Sequence, residues 1–149
     1  MSFREKAAWI SLAVTVGVWG HYFWKLGSLL GQEADLTRLF VNSVVLSIGA
    51  QIALQLVAHV TTPAAERSIS DEREDRIESR ATSVGYTALT ILVVTLALAS
   101  PLIIGGFGEV PHDLFADAAV AMPNLIILAV IVAEALRSLT AIAFYRLGR

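Results

Sequence analysis

Long apolar runs alternate with short polar segments along the whole chain. The runs lie at about residues 7–28, 38–60, 82–105 and 120–145. Each is long enough for an α-helix to cross the hydrocarbon core of a bilayer, which takes about 20 residues. The pattern therefore predicts an all-α integral membrane protein, an antiparallel four-helix bundle that forms one domain over residues 1–149.

A charged segment before the third span fixes the orientation. From Ser70 to Arg80, acidic residues come first and arginines later, with Glu72 and Arg76 four residues apart; this predicts a helix that continues into the span. Basic residues cluster in this segment and at both termini, whereas the two other connections hold few. The positive-inside rule then makes both termini cytoplasmic, with the third helix extended into the cytoplasm.

The composition excludes several classes of protein. Of the 149 residues 56% are hydrophobic and 16% are charged, the mean hydropathy is +0.67 and the formal net charge is -2. This gives no case for a nucleic-acid partner. Without cysteine the chain has no disulfide, thiolate metal site or cysteine nucleophile. No common catalytic or nucleotide-binding motif occurs, so we expect no enzyme and no cofactor.

The first span begins like a secretory signal peptide, with Arg4 and Lys6 before an uncharged run. Bulky aromatic residues follow where a cleavage site would need small ones, which favours an uncleaved first helix. On this helix Ala13, Gly17 and His21 share one face, and small residues at that spacing allow another helix to approach closely.

The second span carries a polar residue at every fourth position. These residues, called here the polar ridge, are Ser43, Ser47, Gln51, Gln55 and His59. Four residues advance slightly more than one helical turn, so the ridge drifts slowly around the helix. Because hydrocarbon offers no hydrogen-bond partner, the ridge should face protein or trapped water. Both hydrogen bonds across helix contacts and a polar pathway fit this pattern.

The fourth span contains Glu134 and Arg137, three residues apart and therefore on one face. Such a pair either marks a functional site or anchors the helix. A helix that begins at Asp117 puts Glu134 about 25 Å along, near the far interface. A start at Pro123, which we predict, with a short interfacial helix over residues 113–122, puts Glu134 about 16 Å along, near the midplane. Facing the polar ridge there, it suits a proton-coupled or cation site.

Two histidines and two carboxylates form a weak candidate for a zinc site. His21 lies in the first span, and His112, Asp113 and Asp117 lie in the third connection. These residue types suit zinc, but their spacing is not a ligand signature. We therefore predict no bound metal.

Three segments carry a family resemblance: Asp71–Ala81, Gly85-Tyr86 and the ending Tyr145-Arg146. They resemble a group of small bacterial membrane proteins of unassigned function, with four spans, an Asp-Glu-Arg loop before the third and a Tyr-Arg ending. The resemblance implies an inner-membrane location. Since some relatives are encoded beside small transcription regulators, it also implies a regulatory role. It supplies no substrate, cofactor or catalytic residue.

We therefore expect a non-enzymatic bacterial inner (plasma) membrane protein with a regulatory or accessory role, which engages a cytoplasmic protein partner through helix 70–82. The partner-binding candidates are Asp71, Glu72, Arg73, Arg76 and Arg80, whose mixed charges suit anionic lipid poorly. One alternative is a transporter or channel centred on Glu134, for which four short spans need a homo-oligomer such as a dimer. Another is a membrane-embedded ligand or cofactor binder, with His21 or His59 as a ligand. The polar interior candidates are Gln51, Gln55, Glu134, Arg137, Ser47 and His21.

Overall fold

The computed structural model describes residues 3–26, 28, 33–63, 72–105 and 118–147. Within them the chain forms four α-helices. These are α1 (Phe3–Leu26), α2 (Glu33–Thr61), α3 (Glu72–Gly105) and α4 (Ala118–Leu147). The described residues contain no β-strand, which confirms the all-α class for this part of the chain.

Three of these helices are long and apolar enough to cross a membrane. The candidate spans are Thr37–Thr61 in α2, Glu72–Ser100 in α3 and Met122–Leu147 in α4. α1 is not among them, although it is uncharged through most of its length, because its polar and aromatic residues, His21 above all, lower its mean hydropathy. Three of the four predicted spans therefore have the length and composition of membrane helices.

α3 runs without a break from its charged start into the apolar stretch, as predicted. It begins at Glu72, and its first turn holds three acidic residues, which favour the positive end of the helix dipole. The helix continues through Pro101 to Gly105. Asp71, a predicted partner-binding residue, lies outside the described residues.

α4 begins earlier than predicted, at Ala118, so Pro123 is not its first residue. The prediction of a Pro123 start is wrong because the residues before the proline are mostly alanines, which favour helix strongly. A proline this near the helix start removes only one backbone hydrogen bond. Glu134 nevertheless lies halfway along the candidate span Met122–Leu147.

The main helix contacts place α1 between α2 and α4, and α4 between α1 and α3. Small residues line the contact of α3 with α4. Ala81 is completely buried, and a Cβ atom at Gly85 would lie 2.9 Å from the Cβ of Arg137 and 3.3 Å from the carbonyl oxygen of Ala133. The two helices therefore approach closely at Gly85.

The small face of α1 is not used in this way. Ala13, Gly17 and His21 are exposed, and no other described residue comes within 4 Å of a Cβ atom built on Gly17. Within the described part of one copy of the chain, no helix makes the close approach that this spacing allows. Sequence spacing identifies the small face of α1, but it does not say whether another helix meets that face.

Large apolar side chains cover the outside of the helices. Val45, Ile52 and Leu98 are 65%, 63% and 76% exposed. A soluble monomer rarely exposes so much continuous apolar surface. Such an apolar surface is favourable in contact with hydrocarbon.

Candidate functional site

Hydrogen bonds join three helices at Ser11, which is buried on α1. The Ser11 hydroxyl donates to Oε1 of Glu134 at 3.0 Å, and it accepts from Nε2 of Gln51 at 3.1 Å. The two predicted residues Gln51 and Glu134 are thus brought together through α1. Ser11 is missing from the predicted site, although Ser11 and Thr15 are a polar pair four residues apart inside an apolar run.

The predicted ion pair within α4 is present. Nε of Arg137 lies 3.0 Å from Oε2 of Glu134, and Nη2 lies 2.8 Å from Oε1. Both side chains are about one-third exposed, at 34% for Arg137 and 33% for Glu134. Two parallel charge-assisted hydrogen bonds hold the carboxylate in one orientation and balance its charge.

A groove with a volume of about 440 Å³ lies beside this pair, between α2 and α4 and against α1. Its polar lining consists of Thr15, Ser47, Gln51 and Glu134. Its apolar lining consists of Trp19, Phe40, Ile126, Ile127, Val130 and Ile131. The polar residues lie near the middle of their helices, and the outermost apolar ones lie toward the C-terminal end of α1. Along α4 the distance from Ile126 to Glu134 is about 12 Å at 1.5 Å per residue.

The polar ridge divides into an inner and an outer part. Ser43 is buried, and Ser47 and Gln51 line the groove, whereas Gln55 and His59 are exposed. Each step of four residues turns the side chain by roughly 40°, so Ser43 and His59 differ by roughly 160° around the helix. The expectation that the ridge faces protein is therefore met by its first three members, and the ring of His59, although exposed, lies against Phe3 of α1.

Trp19 and Phe40 line the apolar end of the groove, and Tyr22 packs against both of them. Tyr22 is 3% exposed, and its hydroxyl donates to Oδ1 of Asn124 on α4. Its ring centroid lies 5.5 Å from that of Trp19 and 6.2 Å from that of Phe40. Asn124 is a second polar contact that is missing from the predicted site.

The ends of all four helices meet in a region that we call the charged end. The guanidinium of Arg4 on α1 lies 2.7 Å from Asp75, 3.3 Å from Glu78 and 3.7 Å from Glu74, all on α3. The hydrogen bond to Asp75 and the neighbouring carboxylates raise the pKa of Arg4 above its usual value, although burial acts in the opposite direction.

Two further contacts bring the ends of α2 and α4 to the same place. Buried Glu5 lies 3.4 Å from Arg146 at the end of α4. The rings of Phe3 and His59 lie edge to face, with centroids 5.9 Å apart, so the last turn of α2 reaches the first turn of α1. Glu5 is a buried carboxylate that is absent from the predicted site residues.

The predicted partner-binding arginines are exposed. Arg76 forms an ion pair with Glu72 at 3.4 Å, and the guanidinium of Arg80 lies 5.9 Å from the ring centroid of Phe144 on α4. Arg73 is exposed as well. The structure alone does not test their role toward a partner, which stays a prediction.

The metal candidates are only partly described. His21 is exposed, and its ring packs at 6.3 Å from that of Trp24. His112, Asp113 and Asp117 lie outside the described residues. In the part of the chain that is described, no three histidine or acidic residues group in a way that could hold a metal ion.

Comparison with known proteins adds no identity to this geometry. No family model, curated protein or solved structure matches the chain. The resemblance to small bacterial membrane proteins therefore stays a prediction.

Proposed function

We propose that the protein is an integral membrane protein that binds the polar end group of a lipid-soluble molecule in the groove between α2 and α4. The observation that carries this proposal is the two-part lining of the groove, polar near the middle of the helices and apolar toward one end. Small-molecule sites typically combine an apolar wall with a few placed polar groups. An amphiphilic ligand has the same two-part chemistry.

The helix contacts support an arrangement of four antiparallel spans. α1 packs between α2 and α4, which both have the length and composition of membrane spans, so it has to share their surroundings. The first turns of α1 and α3 and the last turns of α2 and α4 meet at the charged end. The excess of basic residues on this side favours the cytoplasm for it and for both termini.

The ion pair supports a neutral end group for the ligand. Because Arg137 bonds both carboxylate oxygens of Glu134, the groove offers hydrogen-bond donors and acceptors with little net charge. A hydroxyl or a quinone carbonyl can bond to Gln51, Ser47 or Thr15 without an uncompensated charge. A cation, as in the alternative of a transporter centred on Glu134, would first have to displace Arg137.

A regulatory role through helix 70–82 is not opposed by the contacts, because its described candidate residues Glu72, Arg73, Arg76 and Arg80 are exposed. The carboxylates that lie against Arg4, those of Glu74, Asp75 and Glu78, are not among these candidates. The regulatory role and a homo-oligomer both remain predictions.

The test uses Trp19, which lines the groove, as a fluorescent reporter. Phenylalanine replaces the other two tryptophans, Trp9 and Trp24, in all variants. A decyl-substituted benzoquinone, which quenches tryptophan, is titrated into the protein in detergent, and dodecanol is added as a competitor without a quinone ring. We expect quenching that saturates and that dodecanol reverses.

Matched substitutions on α2 decide whether the groove is responsible. Gln51→Leu removes a polar lining group, whereas Gln55→Leu changes an exposed amide one turn further along. Loss of one neutral hydrogen bond, about 1 kcal/mol, should weaken quinone binding roughly fivefold in Gln51→Leu and leave it unchanged in Gln55→Leu. Quenching that never saturates, or that both substitutions weaken equally, would refute the proposal.

A further inference from the structure

Arginines and acidic residues alternate along the start of α3 in sequence, but they lie on opposite sides of the helix. At about 100° per residue, Arg73, Arg76 and Arg80 fall within an arc of roughly 60° around the helix. We call this arc the arginine face. The carboxylates Glu74, Asp75 and Glu78 lie on the opposite side and all contact Arg4. The acidic side is therefore turned toward α1, and the arginine face is turned away from it.

The arginine face is accessible and lies at the edge of the apolar stretch. The side chain of Arg76 is 75% exposed. Arg80 directly precedes the uncharged run that begins at Ala81, and its guanidinium lies over Phe144 near the end of α4. At 1.5 Å per residue, Arg76 lies about 6 Å beyond Arg80 along the helix axis. The polar layer of each leaflet is about 5–7 Å thick, so both arginines fall within it.

We propose that the arginine face binds the phosphate groups of acidic phospholipids on the side of the membrane where the charged end lies. A guanidinium presents paired N–H donors that match phosphate oxygens, and it binds phosphate more specifically than a lysine does. Arg80 is already held against an aromatic ring, which limits the freedom that it would lose on binding. This inference is independent of the ligand proposed for the groove.

Glu72 provides a sensitive control of this proposal. It is the ion-pair partner of Arg76, at 3.4 Å, and its own side chain is 90% exposed. An exposed pair at this spacing contributes little to stability, so a phosphate can replace the carboxylate. Glu72→Gln should therefore strengthen lipid binding, whereas Arg76→Gln, one turn further along the helix, should weaken it.

The experiment counts bound lipids on the detergent-purified protein by native mass spectrometry. Dioleoyl phosphatidylglycerol, dioleoyl phosphatidylcholine and inorganic phosphate are the three probes. The double variant Arg76→Gln/Arg80→Gln is compared with Arg38→Gln, an exposed arginine at the start of α2, far from the charged end. We expect the wild type and Arg38→Gln to retain more phosphatidylglycerol than phosphatidylcholine. In the double variant, the ratio of bound phosphatidylglycerol to bound phosphatidylcholine should fall roughly fivefold for each arginine removed.

Three results would overturn the proposal. In the first, both lipids bind equally to the wild type. In the second, the double variant retains as much phosphatidylglycerol as Arg38→Gln, which would favour a protein surface as the partner of this face. In the third, inorganic phosphate displaces phosphatidylglycerol at equal concentration, so that the face recognises free phosphate rather than a membrane lipid.

Discussion

Gly85 offers the sharpest test of how α3 and α4 pack. In Gly85→Ala the new Cβ atom would lie 2.9 Å from the Cβ of Arg137 and 3.3 Å from the carbonyl oxygen of Ala133. Neither atom is the far end of a flexible side chain, so the helices have to separate by a few tenths of an ångström. Overpacking of this kind typically costs about 1–3 kcal/mol. Alanine also favours helix over glycine by about 1 kcal/mol, which acts in the opposite direction.

Gly49→Ala separates these two effects. Gly49 lies in the middle of α2, and no other described residue comes within 4 Å of a Cβ atom built there, so this variant gains helix propensity without overpacking. The measurement is equilibrium unfolding in mixed detergent micelles containing SDS, followed by circular dichroism and tryptophan fluorescence. We expect Gly85→Ala to be less stable than Gly49→Ala by about 1–3 kcal/mol. Equal stability of the two variants would show that α3 and α4 are not in close contact at Gly85.

Two further predictions use the same unfolding assay. The hydroxyl of Ser138 is buried and has no hydrogen-bond partner among the described residues. Ser138→Ala should therefore stabilise the protein by about 1 kcal/mol. Ser11→Ala, which breaks two hydrogen bonds, should destabilise it. A loss of stability in Ser138→Ala would mean that this hydroxyl is bonded. Arg4→Gln should lower stability by about 1 kcal/mol at low salt and by less at high salt, because its contacts with three carboxylates are partly exposed and screened by ions. A loss that is independent of salt would assign Arg4 a packing role.

The helices and the ion pair follow from local rules, which is why the sequence predicts them. The start of α3 depends on acidic residues beside a helix N-terminus, and the contact of Glu134 with Arg137 depends on a spacing of three residues. The predicted start of α4 at Pro123 lies five residues too late, because the alanines before the proline favour helix. The rule for acidic residues at a helix start and the rule for residues three apart both concern neighbours along one helix.

Contacts between helices are harder to predict, since a spacing gives the direction of a face but not the element that it meets. The polar ridge predicts one side of α2 as polar, yet only the structure shows that α1 rather than α4 lies against it. The same limit explains why Ser11 is missing from the predicted site. A hydroxyl inside an apolar helix stands out only when a carboxylate and an amide from other helices converge on it.

Arg137 connects the packing of α3 to the polar end of the groove. Its Cβ atom lies against Gly85, and its guanidinium holds both oxygens of Glu134. Glu134 in turn accepts from Ser11, which accepts from Gln51. All four helices therefore contribute to a single sequence of contacts, α4 with two residues and the others with one each, although no described residue of α3 lines the groove. Because the carboxylate is held by a guanidinium whose Cβ atom lies against Gly85, the packing of α3 on α4 is connected to the polar lining of the groove through Arg137.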